Sequence, residues 1–368
     1  MWRICEPRRT ANNQVSLELR GSHHFWISAL SHTSREMYIN ICVTRLKELV
    51  RLAEHQNHFL LSLCVLNFIF CIVAILGNLL VIRALLKASM PATLKAMFLS
   101  LAFSDLSVGL LVQPMHGTII AVILYKTSER NDDLDFLCPV FVTVYLMAAY
   151  FFAVASFCSI VTIAVDRLLA VSLHLRYREF VTMKRVLIVL FMLWSTSGLM
   201  ALVYILLPNY NDIVAVVLEV LGLLVTSVAY FQIFKVARYH QNQIQAQCQI
   251  TTDLEKMRVG RVKRSAYNAF YVYAVFVICY LPNIFCGILL VTSEFSMSLI
   301  TAFYVTILLI YLNSSVNLVV YCWRYREIRE TVKKIFTKAC RRNRNGTIDL
   351  TNLTIQEPRT SWFQRSEV

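Results

Sequence analysis

The chain has 368 residues, 57% of them hydrophobic and 16% charged, with a formal net charge of +14. Soluble globular domains carry about one quarter charged residues, so this composition excludes an ordinary water-soluble fold. The basic surplus does not point to nucleic acid, because its charges fall on alternate connections between long apolar runs, as on a membrane surface.

Residues 1–57 are polar and basic, with Arg3, Arg8, Arg9, Arg20, Arg35, Arg45, Lys47 and Arg51, and read as an extracellular N-terminal tail. They contain no continuous apolar core of the kind a signal peptide has, and no Asn-x-Ser/Thr sequon, so the first span is expected to act as the signal anchor.

Seven apolar runs follow, at 58–83, 96–124, 138–165, 185–207, 212–234, 267–291 and 299–322. Each has the roughly 20 residues needed to cross a hydrocarbon core about 30 Å thick, and lipid forces such a run to be helical. The predicted fold is all-α integral membrane, a seven-transmembrane helix bundle with a short amphipathic helix after the seventh span, over residues 58–338.

One set of connections carries Arg83, Lys87 and Lys95, then Arg176, Arg178, Lys184 and Arg185, then Lys235, Arg238, Lys256, Arg258, Arg261, Lys263 and Arg264. The opposite set carries only Lys126 and Arg130. The positive-inside rule therefore predicts residue 1 outside and residue 368 inside, in a multi-pass protein of the plasma membrane. Most of the eleven cysteines fall within spans, Cys64, Cys71, Cys158, Cys279, Cys286 and Cys322 among them, and read as free buried thiols.

Polar groups inside the spans are expensive and need partners or a watery cavity. Asn78 in span one, Asp105 in span two, Ser156 in span three, and Asn313, Ser314 and Asn317 in span seven are the inner set. Interhelical hydrogen bonding is one reading of them, and a mid-membrane ion or water site around Asp105 is the other.

The outer halves offer Gln113, His116, Tyr145, Tyr150, Glu219, Asn283 and Tyr311 as candidate ligand-binding groups amid aliphatic walls. Glu219, between Leu218 and Val220, either meets a ligand or faces a polar neighbour, with His116 the candidate neighbour. Pro282 removes one intrahelical hydrogen bond from span six and is expected to kink it.

Beyond the seventh span, Trp323 to Phe336 places Trp323, Ile328, Val332, Ile335 and Phe336 mainly on one face, which predicts an amphipathic helix on the inner leaflet, in contact with membrane lipids. Cys340 beside it is a candidate palmitoylation site or a plain free thiol. Residues 339–368 read as a disordered cytoplasmic tail, whose Ser366-Glu367-Val368 end is similar to a PDZ-binding terminus.

The motifs Gly77-Asn78, Leu101-Ala102-x-x-Asp105, Ser156 with Asp166-Arg167, Trp194, Cys279-Tyr280-Leu281-Pro282 and Asn317-x-x-x-Tyr321 stand in this order. In that order they resemble the motifs of rhodopsin-type (class A) G-protein-coupled receptors. The stretch from Asp166 through His174-Leu175-Arg176-Tyr177 to Arg185, the short cysteine-free outer loop 207–212, and Gly222 in place of the span-five proline resemble the melanocortin, adenosine and cannabinoid branch, melanocortin receptors especially.

The resemblance implies an extracellular ligand and a heterotrimeric G protein as partners, with arrestin as a further one. It implies that Asp105, Ser156, Asn313 and Asn317 bind an allosteric sodium ion, the only cofactor expected. Arg167 would meet the G protein, Tyr230 and Tyr321 would hold the opened state, and Asp166, Tyr280, Pro282 and Asn317 would belong to the switch.

Several residues depart from the family pattern. Val142 stands where the family has a disulfide cysteine, and Leu168, Tyr280 and Leu318 replace a tyrosine, a tryptophan and a proline. The inner end of span six, Arg261-Val262-Lys263-Arg264, has no acid to pair with Arg167. Ala149 lacks the carboxylate by which amine receptors hold a ligand, and the absence of lysine between Lys263 and Lys333 removes an opsin's Schiff-base site. A peptide, a lipid or a small molecule remain as ligands.

No nucleophile, base and orienting acid form a recognisable catalytic set, so the chain is expected not to be an enzyme. Two alternatives stand beside the receptor reading: a receptor-shaped protein that no longer couples, and a transporter or channel built on Asp105.

Overall fold

The computed structural model describes residues 46–129, 140–173, 176–206, 211–247, 253–292, 296–324, 328–335 and 337. Among them, seven helices are long and apolar enough to cross a membrane. They run Asn57–Lys87, then Ala92–Ser107 continued through a π-helical turn Val108–Val112 into Gln113–Glu129, then Val140–Leu173, Met183–Leu206, Asn211–Gln247, Asp253–Thr292 and Met297–Arg324.

All seven expected spans are present. The helices of spans five and six extend furthest beyond the apolar runs, since at 1.5 Å per residue about 20 residues cross the hydrocarbon and the remaining turns project past it. Pro282 lies inside the helix Asp253–Thr292, which continues past it.

Apolar side chains divide between the bundle interior and its rim. Leu76, Phe191, Phe231 and Ile278 are exposed on the outside, the placement that lipid rather than water favours. Inside, Val81, Leu101, Phe157, Phe276 and Tyr280 belong to an inner cluster, and Leu60, Val112, Ile120, Val142 and Tyr311 to an outer one.

Polar ties fix the register between helices where apolar packing in lipid has little directional preference. Asn78 donates to the Ser314 carbonyl at 3.0 Å, joining spans one and seven. Trp194 donates from Nε1 to Ser100 Oγ at 3.1 Å, joining spans four and two. Asn67 donates to the Gln113 carbonyl at 2.9 Å, and the Cys71 thiol to that of Gly109 at 3.1 Å, joining spans one and two around the π-turn.

Three shorter helices complete the described chain, of which Tyr177–Phe180 lies between spans three and four. Residues 46–55, which the sequence reading assigned to the tail, are helical and pack on the bundle, with Leu46, Leu49, Leu52 and Ala53 buried. Residues 328–335 form the expected amphipathic helix, burying Ile328 and Val332. Cys64, Cys71, Cys279 and Cys286 are free and buried, and Cys158 is free and partly buried. Cys340, the terminal Ser366-Glu367-Val368 and the side chain of Tyr321 lie outside the described residues.

Gly222 permits a close approach of spans three and five. A Cβ built there would lie 2.2 Å from Phe157, whose ring is wedged against Phe276 at 5.4 Å and Tyr280 at 5.1 Å between centroids. The ring has little room to retreat, so Gly222→Ala is expected to cost about 1–3 kcal/mol through overpacking. The check is a thermal melt of the purified protein, in which the variant should lose its fold at a lower temperature than the parent.

Candidate functional site

A cavity of about 280 Å³ opens among spans two, three, five, six and seven. Of the candidate ligand groups, His116, Tyr150, Glu219 and Asn283 line it, together with Tyr145 and Tyr311. Gln113 does not: it is fully buried, neither polar atom of its side-chain amide is hydrogen-bonded, and its carbonyl accepts from Asn67. The π-turn immediately before Gln113 changes the helical phase, and His116, three residues further on, faces the cavity instead.

The cavity has two polar poles. On one side, His116 Nδ1 and the Tyr145 hydroxyl share a hydrogen bond at 2.7 Å, and the hydroxyls of Tyr145 and Tyr311 lie 3.2 Å apart, which joins spans two, three and seven. On the other, Thr306 donates to Asn283 Oδ1 at 3.0 Å, and Asn283 Nδ2 reaches Glu219 Oε2 at 3.5 Å. The polar neighbour of Glu219 is therefore Asn283 rather than the expected His116, whose hydrogen bond goes to Tyr145.

The floor of the cavity is polar and aromatic. Ser156 and Ser314 line it and each donates to Asp105 Oδ1 at 2.8 Å, while Asn317 donates to Oδ2 of the same carboxylate. Asp105 is completely buried, and these three donors from spans three and seven offset the loss of water around it.

Asn313 is buried one turn before Asn317, with its Nδ2 unpartnered, and Asn78 bonds backbone carbonyls rather than the carboxylate. The inner set thus divides into Ser156, Ser314 and Asn317 on Asp105, with Asn78 and Asn313 beside them. Tyr280 lies at the same level, its ring 4.8 Å from that of Phe276.

At the far end of span three from the cavity, Arg167 pairs with the neighbouring Asp166 carboxylate, which also accepts from the Tyr177 hydroxyl at 2.7 Å. Burial, and then the bond to Asp166, push the Tyr177 phenol up to about 12, so it remains a donor at physiological pH. The spacing of eleven residues across a loop concealed this partner. The resemblance covered Tyr177 but assigned it no role.

Span six is tied to span five by a hydrogen bond of 2.7 Å between the Ser227 and Tyr273 hydroxyls, and the Tyr273 ring stands 5.2 Å from that of Tyr230. Residues 261–264 continue the helix of span six, and their side chains lie outside the described set.

The fold and this constellation define a seven-helix membrane receptor. Residues 77–215 match the profile of the family described as 7 transmembrane receptor (rhodopsin family). The chain is 30% identical over 294 residues to adenosine receptor A3 of Ovis aries, covering 73% of this chain and 86% of that protein. It is 28% identical to adenosine receptor A2b of Gallus gallus, over 74% of this chain and 88% of that one. It is 24% identical to melanocortin receptor 3 of Homo sapiens, over 72% and 82% respectively.

The chain belongs to the rhodopsin-type (class A) G-protein-coupled receptors, and its function is to convert the binding of an extracellular ligand into activation of a heterotrimeric G protein.

Tyr273→Phe keeps the ring against Tyr230 and deletes only the bond to Ser227. Losing one hydrogen bond is worth about 1 kcal/mol, which changes a two-state ratio about fivefold. The expected outcome is a severalfold rise in ligand-independent nucleotide exchange. Exchange at the parent rate would mean that this tie does not restrain span six.

Proposed function

We propose that the ligand is a compact, largely apolar molecule carrying one protonated amine or a comparable hydrogen-bond donor, received by Glu219. The observation that carries this reading is the position of the carboxylate. It lines the cavity with one long hydrogen bond, from an Asn283 whose own oxygen is already engaged by Thr306.

A carboxylate in an apolar site needs a proton or a cation beside it. The cavity supplies no second charge, since Ala149 lines the span-three wall where amine receptors carry their acid. A cation would therefore be held on span five. At about 280 Å³ the cavity lies near the lower bound of sites for drug-sized ligands, about 300 Å³, which favours a small molecule or the tip of a larger one over an enclosed peptide.

The receptor would sit in the plasma membrane with its N-terminus outside. Arg83, Lys87, Lys95, Arg176, Arg178, Lys184 and Arg185 all flank the ends of spans at which Asp166 and Arg167 lie, which is the bias expected of a cytoplasmic face.

The residues around Asp105 also fit a sodium ion. The carboxylate, the Ser156 and Ser314 hydroxyls and the Asn313 amide oxygen are hard oxygen donors of the type such a cation accepts, and Asn317 would give up its direct bond to Asp105. Bound there, the ion would supply a counter-charge to the carboxylate in the inactive state.

Two experiments test these readings. A library of small primary and secondary amines screened for G-protein activation should yield agonists, and Glu219→Gln should reduce their potency by about tenfold or more at unchanged surface expression, as loss of a charge-assisted bond implies. Equal potency in the variant removes Glu219 from ligand recognition. For the ion, sodium should lower the affinity of such an agonist in the parent receptor and have no effect in Asp105→Asn. Retained sodium sensitivity in that variant would place the ion elsewhere.

A further inference from the structure

The helix at 46–55 lies before the first span, yet it contributes to the cavity. Its sequence, Leu46-Lys47-Glu48-Leu49-Val50-Arg51-Leu52-Ala53-Glu54-His55, puts Leu46, Leu49, Val50 and Ala53 at helical spacing on one stripe, with Leu52 beside them. Leu46, Leu49, Leu52 and Ala53 are at most 5% exposed, while Lys47, Arg51, Glu54 and His55 are exposed on the opposite face.

The chain then breaks at Gln56, whose φ of −137° and ψ of 50° interrupt the helix and let the short segment lie at an angle to span one. Hydrogen bonds run up to and away from the break, Gln56 N to the Leu52 carbonyl at 2.8 Å and Leu60 N to the Gln56 carbonyl at 3.0 Å, so the angle is held on both sides.

The buried stripe belongs to the outer apolar cluster, whose members also include Ile119, Ile123, Val142, Tyr145 and Tyr311 from spans two, three and seven. Leu46 and Leu49 also line the cavity that holds Glu219 and Asn283.

We infer that helix 46–55 is a built-in outer wall of the ligand cavity, and that Leu46 and Leu49 are specificity-determining residues that contact the apolar part of the ligand. This rests on the reading that the cavity receives the ligand. The wall limits how far an apolar body anchored at Glu219 can extend toward the mouth, so it selects ligands by length. It arises from a segment that any reading confined to the seven spans leaves out.

Two measurements on the full-length receptor test it. The first uses single substitutions Leu52→Cys, Ala53→Cys, Lys47→Cys and Glu54→Cys, treated with the membrane-impermeant thiol reagent MTSET, with the unsubstituted receptor as the background for its native thiols. Lys47→Cys and Glu54→Cys should react at least about tenfold faster than Leu52→Cys and Ala53→Cys, which are buried and do not line the cavity, because the latter thiols are reached only when the helix undocks. Equal rates at all four positions would overturn the wall, whatever the ligand is.

The second uses n-alkylamines from butylamine to decylamine, read by thermal stabilisation of the purified receptor. Leu49→Ala should lengthen the preferred chain by up to about three carbons, the number that this substitution removes, and Leu49→Phe should shorten it. An unchanged optimum in both variants, with stabilisation still lost in Glu219→Gln, would overturn the specificity role while leaving the amine reading intact. If no amine stabilises even the parent receptor, the amine reading fails and the thiol rates alone decide whether the wall exists.

Discussion

The arrangement of the bundle depends on one buried carboxylate. Asp105 stands at mid-membrane, where charge is costly, and it accepts hydrogen bonds from Ser156 on span three and from Ser314 and Asn317 on span seven. Those bonds require spans two, three and seven to hold a single register, since turning span three or span seven would carry Ser156, Ser314 and Asn317 away from the carboxylate. Asn78 then fixes span one to the same turn of span seven, and Trp194 fixes span four to span two. Apolar packing fills the spaces between these ties without being able to specify them, because lipid is as good a solvent for Leu as the interior is.

The same node lies directly beneath the cavity. Ser156 and Ser314 line its floor while donating to Asp105, so a molecule seated there touches the groups that organise three spans. On the span-six side the floor is Tyr280, packed with Phe157 and Phe276, and Phe157 in turn fills the space left by Gly222 on span five. Contacts of this kind connect the cavity to spans five and six, whose inner ends carry the Ser227 to Tyr273 bond.

At the end of span three away from the cavity, Arg167 pairs with Asp166, and Asp166 accepts a hydrogen bond from Tyr177 on the short helix after span three. Span six is joined to span five by the hydrogen bond between the Ser227 and Tyr273 hydroxyls.

Much of this was legible in the amino-acid order alone. Seven spans, the amphipathic helix burying Ile328 and Val332, the free thiols of Cys64 and Cys279, and the association of Asp105 with Ser156 and Asn317 follow from hydropathy, periodicity and family motifs, all of which act locally or at fixed helical spacing, whereas the structure puts Ser314 rather than the expected Asn313 on the carboxylate. The chain order also determined the receptor family. What only the tertiary structure decided were facts of rotation and of distance between helices. The π-turn at Val108–Val112 shifts the phase of span two, so that Gln113 is buried and His116 faces the cavity. Glu219 meets Asn283, 64 residues away, because spans five and six pack side by side. The helix at 46–55 reads as polar tail, since five of its ten residues are charged or histidine and its apolar stripe spans barely two turns. Only the bend at Gln56 and the open mouth of the bundle make that stripe part of the wall, and neither is encoded in a periodicity short enough to read.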